Sequence, residues 1–220
     1  MDEIILSFGD SLLYTSDLLL LNDSQWLNDK IIGFVYEYFE VEQFKNSKDI
    51  VAFMNPSVVQ LLKTLTTEEA SAIIGPHNFT SKKLAFIPLN DNNTLYPGGI
   101  HWSLIICDFS SKCFFHFDSL SNSSTCFNRQ PANQLCKQFA ALFDFPSVTI
   151  TQMQCPKQTN GNDCGMYVIA ITECLFEYYL KNESFQNGSI LDNVCASYIK
   201  KKRAHWKKLI QQLAEQHASS

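Results

Sequence analysis

The sequence predicts a single globular domain, residues 1–220, in which helices and β-strands are mixed. Residues 164–180 form a long apolar run without proline, and without glycine after Gly165, which is typical of a buried helix. Residues 100–118 contain two strand-like runs separated by a short polar turn, which is typical of a β-hairpin. A chain of 220 residues with 45% hydrophobic and 18% charged residues is long and apolar enough to bury a sizeable core.

The remaining elements follow from caps, chain breakers and hydrophobic spacing. The predicted strands are 4–8, 84–89 and 147–153, and the predicted helices are 28–38, 133–143 and two that begin near 56 and 66. Pro88 indicates that the strand 84–89 lies at a sheet edge or ends there. A final helix is expected to bury Trp206 and to expose the basic residues of 200–208 as a solvated face.

The predicted hairpin separates polar from apolar side chains. If residues 108–111 form a four-residue turn, Cys107 pairs with Lys112 and the same register places His101 opposite Asp118. The face that carries His101 and Asp118 also carries Ser103 and His116, and is polar. The alternate face is wholly apolar, and we expect it to be buried; its residues are Trp102, Leu104, Ile106, Cys113, Phe115 and Phe117.

Cys164 lies at the junction between a polar loop and the long apolar helix, with Asn162 or Asp163 as the expected N-cap. The backbone N–H groups and the dipole at a helix N-terminus favour negative charge, and the thiolate is the form of cysteine that attacks carbon. A cysteine beside an apolar helix is nevertheless more often a small buried hydrophobe. A nucleophilic role therefore requires partners elsewhere in the chain.

His101 and Asp118 are the predicted partners of Cys164. Asp118 would accept a hydrogen bond from one imidazole nitrogen and fix the tautomer, while the other nitrogen would face the thiol. Gln158 and the backbone N–H of Cys164 are candidate donors to an oxyanion. His116 is a rival base, but it lies in mid-strand, and no carboxylate faces it in the predicted register.

Composition argues against several classes of protein. A net charge of −5 argues against a nucleic-acid partner, because phosphate binding needs a basic face. We expect neither a secretory signal nor a membrane partner, because no basic segment precedes an apolar core and no apolar run is long enough to span a bilayer. Eight cysteines without a C-x-x-C motif predict reduced thiols in the cytoplasm or nucleus, with no metal and no cofactor. We expect a monomer.

Four motifs together resemble the sentrin-specific, ubiquitin-like-protein protease family, and within it the short deneddylating members. They are W-L-N-D at 26–29, G-G-I-H-W at 98–102, F-D-S at 117–119 and Q-T-N-G-N-D-C-G at 158–165. The order His, Asp, Cys with a glutamine six residues before the cysteine is specific, whereas a lone H-W or D-C-G is not. The resemblance covers nearly the whole chain and implies an α+β, papain-like cysteine protease fold. It also implies a central mixed sheet and a catalytic cysteine at the N-terminus of a buried helix.

The resemblance also implies a substrate, the Gly-Gly tail of a ubiquitin-like modifier. Cleavage would follow that tail, with the Nedd type preferred and a sentrin or ubiquitin preference as the alternative. Trp26 and Trp102 would roof a narrow channel for the tail, Asp29 would hydrogen-bond it, and loop 91–99 is a candidate lid.

Before the resemblance is used, two of these roles have competing interpretations. Trp26 is then more simply a core aromatic, and the hairpin register points Trp102 away from His101. Two other classes stay open, a protein acetyltransferase with the same triad and an inactive modifier-binding module.

Overall fold

The computed structural model describes residues 2–75, 79–94, 96, 98–122, 126–184 and 188–218. The chain divides into two compact units, one formed by Met1–Tyr38 with Pro156–Ser220 and the other by Phe39–Cys155. The single domain over 1–220 stays a prediction. Within the described ranges, no helix is both long and apolar enough to cross a membrane.

The first unit is built mainly of helices with one small hairpin. Its elements are β1 (Ile4–Phe8), β2 (Ser11–Tyr14), α1 (Thr15–Leu19), α2 (Asp29–Tyr38), α6 (Cys164–Asn182) and α7 (Ala196–Ala218). β1 and β2 pair antiparallel. Asn28 starts α2, because its side-chain Oδ1 accepts a hydrogen bond from the Ile31 backbone N–H at 3.0 Å.

Helix α6 is buried over its first thirteen residues except Cys174, as the apolar run predicts. Its two polar interior side chains are paired within this unit. Thr172 Oγ1 lies 2.7 Å from the Tyr36 hydroxyl, and Glu173 Oε2 forms an ion pair with Lys202 Nζ of α7 at 2.5 Å. Because buried polar groups are costly unless paired, these contacts allow α6 to be covered on nearly all sides.

The second unit contains a mixed five-stranded sheet with three helices. Its elements are β3 (Val51–Phe53), α3 (Pro56–Leu62), α4 (Thr67–Ile74), β4 (Leu84–Asn90), β5 (Trp102–Asp108), β6 (Cys113–Phe117), α5 (Arg129–Leu142) and β7 (Ile150–Gln152). The strand order follows the chain, with parallel outer pairs β3–β4 and β6–β7 and antiparallel inner pairs. Asn55 and Thr66 cap α3 and α4 through their side-chain oxygens.

Both faces of this sheet are buried. One face packs on the helices through a core that includes Ile105, Phe114 and Phe139. On the other face Phe53 stacks on Phe86, with ring centroids 5.6 Å apart. The apolar hairpin face is buried as predicted, because Leu104, Ile106, Phe115 and Phe117 are all nearly inaccessible.

The predicted register of the hairpin is wrong by one residue on each strand. Asp108 pairs with Cys113 and Ile105 with His116, so the turn is 109–112. The cause is local: Asp108 Oδ1 accepts from the backbone N–H groups of Ser110 and Ser111 at 2.8 and 3.1 Å, and an aspartate with such bonds ends a strand. Because both strands move together, every side chain keeps its predicted face, but Asp118 is no longer directly opposite His101.

The edge position inferred from Pro88 is also wrong, because β4 lies between β3 and β5 and runs on to Asn90. The pairing with β3 stops at Phe86. Beyond Phe86, β4 is not paired with β3, so the missing N–H of Pro88 costs no hydrogen bond on that side of the strand.

Candidate active site

His101 and Asp118 form a buried pair in the second unit. His101 Nε2 lies 2.7 Å from Asp118 Oδ1, and the two residues are 2% and 0% exposed. His101 immediately precedes β5 and Asp118 immediately follows β6, so two neighbouring strands deliver the two side chains to one end of the sheet. Phe127, which is largely exposed, meets the His101 ring edge-on at 6.0 Å between centroids.

The Asp118 carboxylate is held in its ionised form. Burial alone would raise its pKa, but the hydrogen bond and charge of His101, with the Leu120 backbone N–H at 2.9 Å, bring the pKa well below its ordinary value. Oδ2 accepts a longer bond from the Asn128 backbone N–H at 3.4 Å. A carboxylate fixed in this way can orient an imidazole and stabilise its protonated form.

The backbone at His101 is positioned by Asp91. Asp91 Oδ1 accepts from the backbone N–H groups of Ile100 and His101 at 2.8 and 3.1 Å. Gly99, at φ 85°, lets the chain turn beside it, because a Cβ there would lie 1.9 Å from Asn90 Oδ1. The G-G-I-H motif therefore sets the entry of the histidine into β5.

His116, the rival base, belongs to a buried polar network. Its Nδ1 lies 2.8 Å from Gln152 Oε1 and its Nε2 3.0 Å from Ser103 Oγ, which accepts from Asn128 Nδ2 at 2.9 Å. Burial lowers the pKa of His116; the hydrogen bond to Gln152 acts in the opposite direction but does not cancel the effect of burial. Both ring nitrogens are thus engaged by neutral partners, which is typical of a structural histidine.

Cys164 is the first residue of α6 in the first unit and is 3% exposed. Asp163 occupies the N-cap position, but its carboxylate does not cap the helix. Instead Oδ1 accepts from Arg203 at 2.6 Å and Oδ2 from Asn160 Nδ2 at 2.7 Å, while Asn160 Oδ1 accepts from the Asp163 backbone N–H. The loop before the cysteine is therefore fixed by side chains outside the helix.

Arg203 is the buried anchor of this loop. Its side chain is 3% exposed, and besides Asp163 it donates to the carbonyls of Leu20 and Asn22 at 2.7 and 3.2 Å. The expectation that the basic segment is a solvated face is wrong for this residue and for Lys202, which pairs with Glu173. Arginine suits such a site because its fork can reach a carboxylate and two carbonyls at once.

Gln158 and Trp26 lie in the same unit as Cys164. Gln158 Nε2 donates to the Asn160 carbonyl at 2.7 Å, which uses one of its two N–H groups. Trp26 is 52% exposed, so the interpretation as a core aromatic is wrong. Its neighbour Leu27 packs on Gly165, where a Cβ would come within 3.0 Å of Leu27 Cβ, so glycine permits this close approach.

The other predicted tail contacts differ in their exposure. Asp29 is exposed at the start of α2, whereas Trp102 is 9% exposed at the start of β5. Lys63 Nζ donates to the carbonyl of Asn90 and, within loop 91–99, to the carbonyl of Asn92. Burial lowers the pKa of this lysine to about 8. Leu95 and Pro97 of the candidate lid lie outside the described residues, and the lid stays a prediction.

Several positioning residues were missed in the sequence. Asp91, Asn128 and Arg203 hold the backbone of His101, the carboxylate of Asp118 and the loop before Cys164, respectively. Of these three residues, only Asp91 could have been recognised in the sequence, as a carboxylate shortly after a predicted strand. Arg203 acts from a helix, forty residues after Asp163, and Asn128 acts from the N-cap of α5, ten residues after Asp118.

The helix-tip cysteine, the buried His–Asp pair and the mixed sheet with its covering helices are the features of an α+β cysteine protease. Residues 25–218 match the model of the Ulp1 protease family, C-terminal catalytic domain, and the chain belongs to this family. It is 39% identical to Sentrin-specific protease 8 of Rattus norvegicus over 100% of both chains. It is 30% identical to NEDD8-specific protease 1 of Arabidopsis thaliana, over 81% of this chain and 77% of that one.

The fold is also similar to that of the solved C-terminal Ulp1 protease domain in complex with Smt3, the yeast ortholog of SUMO. The TM-score is 0.73 at 21% identity, over 97% of this chain and 89% of that chain. The predicted α+β cysteine protease fold is thereby confirmed.

Proposed function

We propose that this chain is a thiol isopeptidase that cleaves after the C-terminal Gly-Gly of a NEDD8-type modifier. It would release the modifier from target lysines and mature its precursor, acting as a monomer and without nucleic acid. The observation that carries the proposal is the 2.7 Å bond between His101 Nε2 and Asp118 Oδ1, in a chain whose Cys164 opens a buried helix.

In the proposed reaction His101 is the general base and Asp118 its orienting partner. With Nε2 engaged by Asp118, Nδ1 takes the proton of Cys164, and the thiolate attacks the carbonyl carbon of the terminal glycine. The C–N bond then breaks, and the imidazolium gives its proton to the departing lysine amine. Water, deprotonated by His101, hydrolyses the thioester and returns the thiol.

The oxyanion of this reaction is assigned to two donors in the first unit. The backbone N–H of Cys164 belongs to the first turn of α6, where N–H groups have no acceptor within the helix. The second assigned donor is the side-chain amide of Gln158, whose Nε2 donates to the Asn160 carbonyl at 2.7 Å. Loss of such a donor costs about 10²–10³ in kcat.

We assign the larger role in binding the modifier tail to Trp26. Its ring is half exposed, and its neighbour Leu27 packs on Gly165, the residue after Cys164. Asp29 is exposed three residues later and offers a carboxylate to tail N–H groups. Trp102 is nearly buried, so it would contribute little of its surface to the roof of the channel.

The NEDD8 type is preferred because of the relatives. The Arabidopsis relative named as NEDD8-specific is 30% identical, whereas the solved protease bound to Smt3 is 21% identical. The four motifs also resemble those of the short deneddylating proteases.

The test uses NEDD8, SUMO and ubiquitin that carry a thiol-reactive C-terminus, one at a time. We expect covalent capture of NEDD8 at least about tenfold faster than of the other two. Capture should disappear in Cys164→Ala and persist in Cys195→Ala, a control at an exposed thiol. Capture that survives Cys164→Ala contradicts the nucleophile. Faster capture of SUMO or ubiquitin contradicts only the modifier assignment.

A further inference from the structure

Three potential metal ligands converge behind the His101–Asp118 pair. Cys126 Sγ lies 3.4 Å from Asp118 Oδ2 and 3.8 Å from His116 Nδ1, and all three ligand atoms lie within 4.8 Å of one another. His116 and Asp118 come from the end of β6 and point to the same face, while Cys126 precedes α5. His116 and Asp118 are buried, and Cys126 is half-buried, so solvent reaches the cluster from the cysteine side.

The 3.4 Å separation of Cys126 Sγ and Asp118 Oδ2 matches a tetrahedral site, and the 3.8 Å separation of Cys126 Sγ and His116 Nδ1 is a few tenths of an ångström longer. With Zn–S near 2.3 Å and Zn–N or Zn–O near 2.0 Å, neighbouring ligand atoms of a tetrahedron lie roughly 3.3–3.6 Å apart. The chemistry is also selective, because a thiolate, an imidazole and one carboxylate favour Zn²⁺ over Mg²⁺ or Ca²⁺, which prefer oxygen ligands. Three protein ligands leave the fourth position to water.

We propose that His116, Asp118 and Cys126 bind Zn²⁺, and that the bound ion inhibits the enzyme. Zn²⁺ replaces the thiol proton of Cys126, which is released to solvent, and a zinc–sulfur bond forms. His116 ligates through Nδ1, which gives up its hydrogen bond to Gln152 Oε1 at 2.8 Å, and the ring proton moves to Nε2, where Ser103 Oγ at 3.0 Å is the acceptor. Such an outer hydrogen bond orients a ligating imidazole.

Inhibition is expected because Asp118 would bind both His101 and the ion. Its Oδ1 bonds His101, while Oδ2 would bind the ion. The positive charge offsets the carboxylate that stabilises the protonated imidazole, so His101 becomes a weaker base. This consequence rests on the catalytic role proposed for Asp118, whereas metal binding does not.

Binding is tested by titrating the full chain carrying Cys164→Ala with Co²⁺ and following the near-ultraviolet cobalt–thiolate absorption. Zn²⁺ should then displace the Co²⁺. We expect a saturable signal for one ion per chain, at least about tenfold weaker in affinity or lost when Cys126→Ala is added, and retained with Cys195→Ala. No signal, a signal indifferent to Cys126→Ala, or one lost equally with Cys195→Ala overturns the site.

Inhibition is tested with Cys164 intact, each variant being compared with its own metal-free rate of modifier cleavage. We expect the Zn²⁺ concentration for half-inhibition to rise at least about tenfold in Cys126→Ala and to stay unchanged in Cys195→Ala. Equal zinc sensitivity in Cys126→Ala overturns the inhibitory role, because the ion then acts elsewhere. An enzyme without metal-free cleavage contradicts the proposed function, while the cobalt signal still reports on the site.

Discussion

Replacing Arg203 by alanine removes a buried guanidinium that has three acceptors in the first unit. It donates to Asp163 Oδ1 at 2.6 Å and to the carbonyls of Leu20 and Asn22 at 2.7 and 3.2 Å. The paired side chains are 3% and 14% exposed, so water screens the pair little. Removing one partner of such a pair leaves an uncompensated charge, and we expect a loss of about 3–5 kcal/mol in the free energy of unfolding.

The conservative variant Arg203→Lys separates the contribution of the positive charge from that of the guanidinium geometry. Arg203→Lys keeps a cation but cannot bridge a carboxylate and two carbonyls with one planar group, so we expect a smaller loss of about 1–3 kcal/mol. Because the same contacts hold the loop before Cys164, both variants should also slow capture of the modifier probe in the folded protein. The slowing should exceed any change in probe affinity, since the loop positions the nucleophile.

Lys200→Ala is the matched control on the same helix. Lys200 pairs with Asp23 at 3.2 Å, but the two side chains are 72% and 67% exposed, so the change should alter stability by no more than about 1 kcal/mol. Urea unfolding of all variants, monitored by tryptophan fluorescence, supplies the free energies. If Arg203→Ala costs as little as Lys200→Ala and leaves the capture rate unchanged, the anchoring role is refuted.

Three further changes test other parts of the site. Asp118→Asn should lower kcat about 10⁴-fold with little change in modifier affinity, because the imidazole loses its charged partner, while Asp108→Asn at the end of β5 should leave kcat near wild type; similar effects of both would contradict the pairing. Gly165→Ala should destabilise by about 1–3 kcal/mol through the 3.0 Å contact with Leu27, and urea unfolding at wild-type stability would count against it. Trp26→Ala should weaken binding of the full-length modifier but not of a modifier whose tail is truncated; an equal effect on both affinities would contradict a tail contact.

The secondary structure was largely predictable because its signals are local. The run after Gly165 predicts a buried helix from residue spacing alone, and α6 is that helix. The caps at Asn55 and Thr66 start helices where they were expected. The division of side chains between the two hairpin faces was predicted as well, since alternation along a strand survives a shift of both strands together, but the face predicted to be polar also carries Ile105 and Phe114 into the core.

The register was not predictable from the same pattern. Two turns of equal length satisfy the alternation, and the choice between them depends on which residue ends the strand. Asp108 decides it by binding the N–H groups of Ser110 and Ser111. The three residues at 116, 118 and 126 likewise have no zinc-finger spacing, and only the fold gathers them.

By itself the sequence predicted which residues would carry the chemistry, because a cysteine at a helix start, a histidine, an aspartate and a glutamine form a specific ordered set. Tertiary structure alone decided how these residues are held. Arg203 reaches Asp163 from forty residues away, and Asn128 reaches Asp118 from the start of another helix. Such contacts join different elements of the fold, and no local pattern of residue types encodes which group of another element will satisfy a buried charge.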